Sequence, residues 1–188
     1  MKLTSIAAVA LLVVAGTARA GEKPMDAGTL AHAVDRLANT ARVLYVAAHP
    51  DDENTRLLAY LANQRHVTTA YLSLTRGSGG QNLIGSEQGE LLGVIRTEEL
   101  LAARRLDAAE QRFTRMRDFG YSKSADETLN IWGRDAAIAD VVWVIRSFRP
   151  DVIITRFDEQ PPNHGHHTAS AILAREAFAA AADPERFP

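Results

Sequence analysis

Short runs rich in apolar and β-branched residues, Val43-Leu44-Tyr45-Val46-Ala47-Ala48, Val67 to Thr75 and Asp151-Val152-Ile153-Ile154-Thr155, alternate with stretches whose apolar residues return at helical spacing. Leu57, Leu58, Leu61 and Ala62 mark a helix after the first run, and Leu91, Val94, Ile95, Leu101 and Ala102 mark a long one over Glu87 to Leu106. Ile138, Val141, Val142, Ile145 and Phe148 mark a third, stopped before Pro150. A weaker strand is expected around Gln111 to Met116. Repeated β-α alternation predicts an α/β fold, a Rossmann-like three-layer sandwich with a mostly parallel sheet and right-handed crossovers. Leu30, Ala33, Val34 and Leu37 make an amphipathic helix expected to lie against that sheet. Beyond the Asp151 run comes a polar loop, Arg156 to His167, and an alanine-rich helix from about Thr168 to Ala182. The final helix of such a fold normally leads into another strand, and Asp183 to Pro188 supplies none, so either the sheet closes at this helix or the chain is truncated at its C-terminus, and the usual α/β pattern favours truncation.

Lys2, the apolar stretch Ile6 to Ala15 and the small-x-small site Ala18-Arg19-Ala20 read as a secretory signal peptide over residues 1–20. The apolar run falls short of the ~20 residues that span a bilayer, so an exported protein, periplasmic or secreted, with no stable anchor after cleavage is expected. Residues 21–188 suffice for one domain. There is no cysteine, which excludes disulfides, a lipoprotein anchor, a catalytic thiol and a Cys-type zinc site. Any metal must be held by His, Asp or Glu. A net charge of −2 gives no case for nucleic acid. The arginines from Arg104 to Arg117 are interleaved with Asp107, Glu110 and Asp118 and read mostly as a solvated face.

His49-Pro50-Asp51-Asp52-Glu53 sits where the first strand gives way to a helix, at the C-terminal mouth where α/β sheets bind ligands. His49 and Asp52, three apart, can face one side of a tight turn. Asp51 and Asp52 point in different directions, so one can bind a metal while the other handles a proton. Helix capping accounts for one Asp but not for the string. Asn163-His164-Gly165-His166-His167 emerges from the same rim after the Asp151 run, and three histidines in four positions beside Pro161-Pro162 suit a site better than a core.

Together these two strings resemble the zinc-dependent de-N-acetylases of the PIG-L (LmbE-like) family. The similarity extends to the turn Leu74-Thr75-Arg76-Gly77 and to Arg96-x-x-Glu99, and so covers most of the mature chain. The resemblance implies one Zn2+ held by His49, Asp52 and His167, with Asp51 as general base and His164 steadying the oxyanion or protonating the leaving amine. It also implies substrate contacts from Arg96 and Asp118, and a glycan or small-molecule substrate bearing an N-acetyl group. One departure is that His166 stands where many members have Asp, which bears on the tuning of His164 and on whether His166 or His167 reaches the metal.

Two histidines and a carboxylate leave zinc an open position, as a catalytic site requires, though other divalent metals suit the same donors. Two competing readings are a metal-dependent phosphoesterase, which favours two carboxylate-bridged metals, and a non-catalytic glycan-binding module, which would be expected to have lost the base or a ligand. The glycines at 77, 79 and 80 match no phosphate-binding fingerprint and read as a loop needing positive φ. Trp132 and Trp143 are expected in core or rim packing.

Overall fold

The computed structural model describes residues 25–160 and 164–188; the expected signal peptide and Pro161, Pro162 and Asn163 lie outside them. In chain order the elements are α1 (Ala27–Arg36), β1 (Arg42–Ala47), α2 (Thr55–Ala59, continued by a π-helical turn Tyr60–Gln64), β2 (Thr68–Ser73), α3 (Glu90–Asp107), β3 (Glu110–Phe113), α4 (Ala125–Trp132), α5 (Arg134–Phe148), β4 (Val152–Thr155) and α6 (Gly165–Ala181). The strands form one parallel sheet in the order β3-β2-β1-β4. Because all four run the same way, the chain leaves β1 and its neighbour β4 on one rim, which brings the two histidine strings together.

Alternation along the strands divides the core into two layers. Leu44, Val46, Ala70 and Leu72 pack with Val141, Val142, Phe148 and Leu173 beneath α4, α5 and α6. Tyr45, Ala47 and Tyr71 pack with Leu58, Leu100 and Ala109 beneath α2 and α3. The three-layer α/β expectation therefore holds. No helix among the described residues is long and apolar enough to cross a membrane.

Four expectations need correction. α1 buries no residue, and Leu30 and Val34 stay exposed, since α2 to α6 already cover both sheet faces. α4 was not anticipated, although Ser124 caps it and accepts from the Glu127 N–H at 3.2 Å, the pattern of a capping box. Arg104 is not solvated: it is buried and paired with Asp107 and Glu53, while Arg105, Arg115 and Arg117 are exposed as expected. α6 begins at Gly165, so His166 and His167 stand on a first helical turn rather than in a loop.

Candidate active site and metal centre

His49 follows β1, and its backbone binds the acidic turn from both sides. The His49 N–H donates to Asp52 Oδ2 at 2.8 Å, and its carbonyl accepts from the Asp52 N–H at 3.4 Å and from the buried Tyr71 hydroxyl. The turn closes through Asp51 at a φ of 90°, a left-handed region that a non-glycine residue enters at a cost, aspartate less than most. That strain turns Asp51 out to solvent and Asp52 inward, the two directions read from the sequence.

On the other side of the rim, His164 caps α6: its Nδ1 accepts the His166 backbone N–H at 3.0 Å. Gly165 is required here by contact, because a Cβ would lie 2.3 Å from both Ser122 Oγ and the Ser124 carbonyl. Its N–H donates to the Ser122 carbonyl at 2.9 Å, which docks the helix start on the loop before α4. Among residues 77, 79 and 80, only Gly77 has positive φ. Gly79 instead admits the chain at Gly120, whose N would lie 2.3 Å from an added Cβ.

The two halves meet at Asp52. Its Oδ2 lies 3.4 Å from His49 Nδ1 and its Oδ1 lies 3.5 Å from His167 Nε2. Ligand atoms from His49, Asp52 and His167 fall within 4.8 Å of one another. Donors about 2.0–2.1 Å from a tetrahedral ion are spaced by roughly 3.3–3.4 Å, so the observed gaps fit a shared cation. They are long for hydrogen bonds. Phe157 stacks flat on His167, with ring centres 3.8 Å apart and planes at 5°, and fixes that imidazole from the far side. A second trio, His49, His164 and His166, satisfies the same distance limit through the other side of His49.

His166 is fully buried, against the expectation that none of these histidines would be core. Its ring packs on Phe119 and Trp132, and its Nδ1 lies 2.9 Å from His49 Nε2. Burial, and then the charges His49, His164 and His167 would carry, push its pKa down to about 3. Burial likewise lowers His164 and His167, with His49 adding to both and Asp52 opposing. Burial works to raise Asp52, but the nearby His49 ring and its charge, helped by His167 and by the His49 backbone N–H, hold it below the ordinary carboxylate value.

Arg96 reaches the acidic turn and not Glu99 or Asp107: its Nη2 donates to Asp51 Oδ2 at 2.7 Å and to the Pro50 carbonyl at 2.9 Å. Asp118 is buried, accepts the Gly120 N–H at 2.9 Å and faces His166 Nδ1 at 3.7 Å, so it stands behind the histidines. Trp132 packs as expected, whereas Trp143 is largely exposed. Asp51 and Arg96 border a cleft of about 540 Å³ shared with Gln81, Asn82 and the exposed Leu83 and Ile84. A larger cleft of about 680 Å³ runs along β4 and α6 and meets the site through Phe157. Sequence reasoning missed Tyr71 and Phe157, which carry no motif; both lie at the C-terminal part of strands or just beyond, the one signal that could have marked them.

Residues 44–178 match the PIG-L family, described as GlcNAc-PI de-N-acetylase. The chain belongs to the PIG-L family. It is 34% identical over 166 residues to a 1D-myo-inositol 2-acetamido-2-deoxy-alpha-D-glucopyranoside deacetylase of Geodermatophilus obscurus, covering 78% of this chain and 56% of that protein. It is 28% identical over 165 residues to a mycothiol S-conjugate amidase of Streptomyces coelicolor, covering 81% of this chain and 56% of the relative. The chain thus spans about half the length of the curated relatives it matches. Among solved structures, the N,N'-diacetylchitobiose deacetylase of Pyrococcus horikoshii aligns with a TM-score of 0.63 at 22% identity, covering 81% of this chain and 55% of that one. The 4-carboxy-2-hydroxymuconate hydratase of Pseudomonas putida aligns at 0.62 and 20% identity, covering 79% and 60%. The PIG-L fold therefore carries more than one named reaction, and a fold match alone does not choose between them.

Proposed function

We propose that this PIG-L chain is the catalytic part of a zinc-dependent hydrolase that removes the acetyl group from an N-acetylated amino sugar or a related small amide. The observation that carries the reading is the convergence of His49, Asp52 and His167 at one point on the sheet rim, with Asp51 next in the same turn and held by Arg96. Sequence relatives named for deacetylation and amide cleavage support amide hydrolysis over hydration, and the two donor trios share a histidine rather than a bridging carboxylate, which disfavours the phosphoesterase reading.

Zinc held by His49, Asp52 and His167 would polarise the amide carbonyl and lower the pKa of attacking water to about 7. Asp51 would take a proton from the attacking water and pass it to the leaving amine nitrogen, and Arg96, which donates to its Oδ2, holds the carboxylate in place. His164 has its Nδ1 occupied as an acceptor, so a neutral ring carries its hydrogen on Nε2. It can therefore donate to the developing oxyanion without being protonated, the first of the two roles implied by the resemblance. The start of α6 adds its positive dipole end to the same place. The cleft beside Asp51 is the seat proposed for the sugar.

The test is to incubate zinc-loaded protein with a panel of N-acetylated sugars and measure acetate and new primary amine. Equimolar release of both supports the reading. No release from any sugar by protein that holds one zinc, or full release by protein stripped of metal, would overturn it.

A further inference from the structure

His49 is held by two partners at once, Asp52 near its Nδ1 and His166 near its Nε2. The 2.9 Å separation between His49 Nε2 and His166 Nδ1 requires one hydrogen between them, since two bare nitrogens repel and two N–H groups collide. It is also shorter than the roughly 3.3 Å expected of two nitrogens sharing one ion at 2.0–2.1 Å. His166 is thus a hydrogen-bond partner of His49 and not a fellow ligand.

We infer that His166 is a positioning residue: its Nδ1 accepts the hydrogen of His49 Nε2, which leaves His49 Nδ1 bare toward Asp52 and the metal. This rests on the reading that His49, Asp52 and His167 hold that metal. A ligand nitrogen must carry no hydrogen, so a neutral His49 that binds through Nδ1 keeps its hydrogen on Nε2 and needs an acceptor there. His166 is built for that task. Its ring is fully buried, enclosed by Phe119 at 4.4 Å and Trp132 at 4.8 Å between ring centres, which fixes its plane. Its Nε2, which carries the ring's hydrogen when Nδ1 accepts, finds no hydrogen-bond partner among the described residues, so the edge turned to His49 is the one that is hydrogen-bonded. Its backbone N–H is bound by His164, which ties the same residue to the helix cap. Ligand histidines usually donate to a carboxylate or a carbonyl. Here the partner of His49 Nε2 is the His166 imidazole, with the Asp118 carboxylate 3.7 Å from that ring's Nδ1.

The experiment measures zinc affinity by competition with a chelating indicator for the wild type, Asp52→Asn, His167→Ala, His166→Leu, His166→Asn and His166→Gln, with circular dichroism and thermal unfolding of each. Asn can place its amide oxygen near the position of Nδ1, whereas Gln reaches toward Nε2 and Leu offers no acceptor. The expected result is zinc affinity weakened by about 10–100-fold in His166→Leu and His166→Gln, and largely recovered in His166→Asn. Leu binding zinc as tightly as wild type, or Asn binding no better than Gln, would overturn the inference. The Asn and Gln comparison decides the matter if Leu does not fold. Zinc lost in His166→Asn but kept in His167→Ala would make His166 a ligand and also overturn it. A wild type that binds no zinc, or an Asp52→Asn protein that binds it normally, marks failure of the metal reading itself, visible before any His166 variant is compared.

Discussion

Arg96 clamps Asp51: its Nη2 donates to the Asp51 carboxylate at 2.7 Å and to the carbonyl of Pro50 at 2.9 Å. One guanidinium thus fixes both the side chain proposed as base and the backbone that delivers it. Asp51 is 69% exposed, so the ion pair contributes little to stability, about 0–1 kcal/mol. The effect of Arg96→Ala should fall on turnover, because misplacement of a reacting group by about 1 Å can cost ~10²-fold. We expect kcat to drop by roughly 10–100-fold with a smaller change in KM and an unchanged unfolding temperature. A rise in KM alone would make Arg96 a substrate contact instead.

Asp51→Asn separates proton transfer from metal binding. The amide cannot accept a proton, while Asp52, His49 and His167 keep their places. Turnover should fall by about 10²–10⁴-fold with zinc content unchanged. Near-normal turnover at full zinc occupancy would remove Asp51 from the mechanism.

Glu53 completes the motif string from inside the protein. It accepts the Asp51 N–H at 3.0 Å through one oxygen and meets Arg104 Nη2 at 3.3 Å through the other, linking the turn to α3. Arg104 also pairs with Asp107 and donates to Gln111 at 3.1 Å. Removing the guanidinium leaves two buried carboxylates without a cation, so Arg104→Ala should destabilise by about 3–5 kcal/mol. Chemical denaturation measures this; a change below that expected of a surface pair would show the network to be solvated after all.

What was legible in the sequence follows from period and range. β1, β2 and β4 and the strings that leave β1 and β4 were readable because an apolar run ending in polar ligand-type residues is a local pattern. The start of α6 was not, because its cap is an imidazole rather than Ser, Thr, Asp or Asn, and its first residue is Gly165, a poor helix former required by contact with Ser122 and Ser124. Arg104 misled for a different reason: its partner Glu53 lies far away in sequence, and no local spacing reveals a pair of that range. α1 has the stripe of a packed helix and lacks a face to pack on. His166 is the sharpest case, since a histidine among histidines looks like a ligand until its burial and its bond to His49 are seen.

Gly165→Ala tests the docking of α6. An added Cβ 2.3 Å from the Ser124 carbonyl cannot be absorbed by a flexible side chain, so the helix start must shift and carry His164, His166 and His167 with it. Overpacking of this kind costs about 1–3 kcal/mol, and zinc affinity should fall as well because Asp52 and His167 separate. Unfolding temperature and zinc affinity both unchanged would mean that α6 does not depend on this contact.

The buried histidines give the metal-free protein a predictable response to acid. Burial, and then the charges of its neighbours, set the folded-state pKa of His166 at about 3, against an ordinary value of 6.5. Between those values the unfolded chain holds a proton that the folded chain does not, so stability rises with pH and is lost as pH falls. The contribution is fully present above about pH 6.5 and declines by up to roughly 1.4 kcal/mol per pH unit on acidification. His164 and His167 are shifted the same way and steepen the fall. In His166→Asn one of these groups no longer titrates, so denaturant unfolding of metal-free protein between about pH 4 and pH 6 should show a shallower dependence than wild type by up to that amount. Equal slopes for the two proteins would mean that His166 takes up its proton without unfolding the site, and that its cage of Phe119 and Trp132 opens to water.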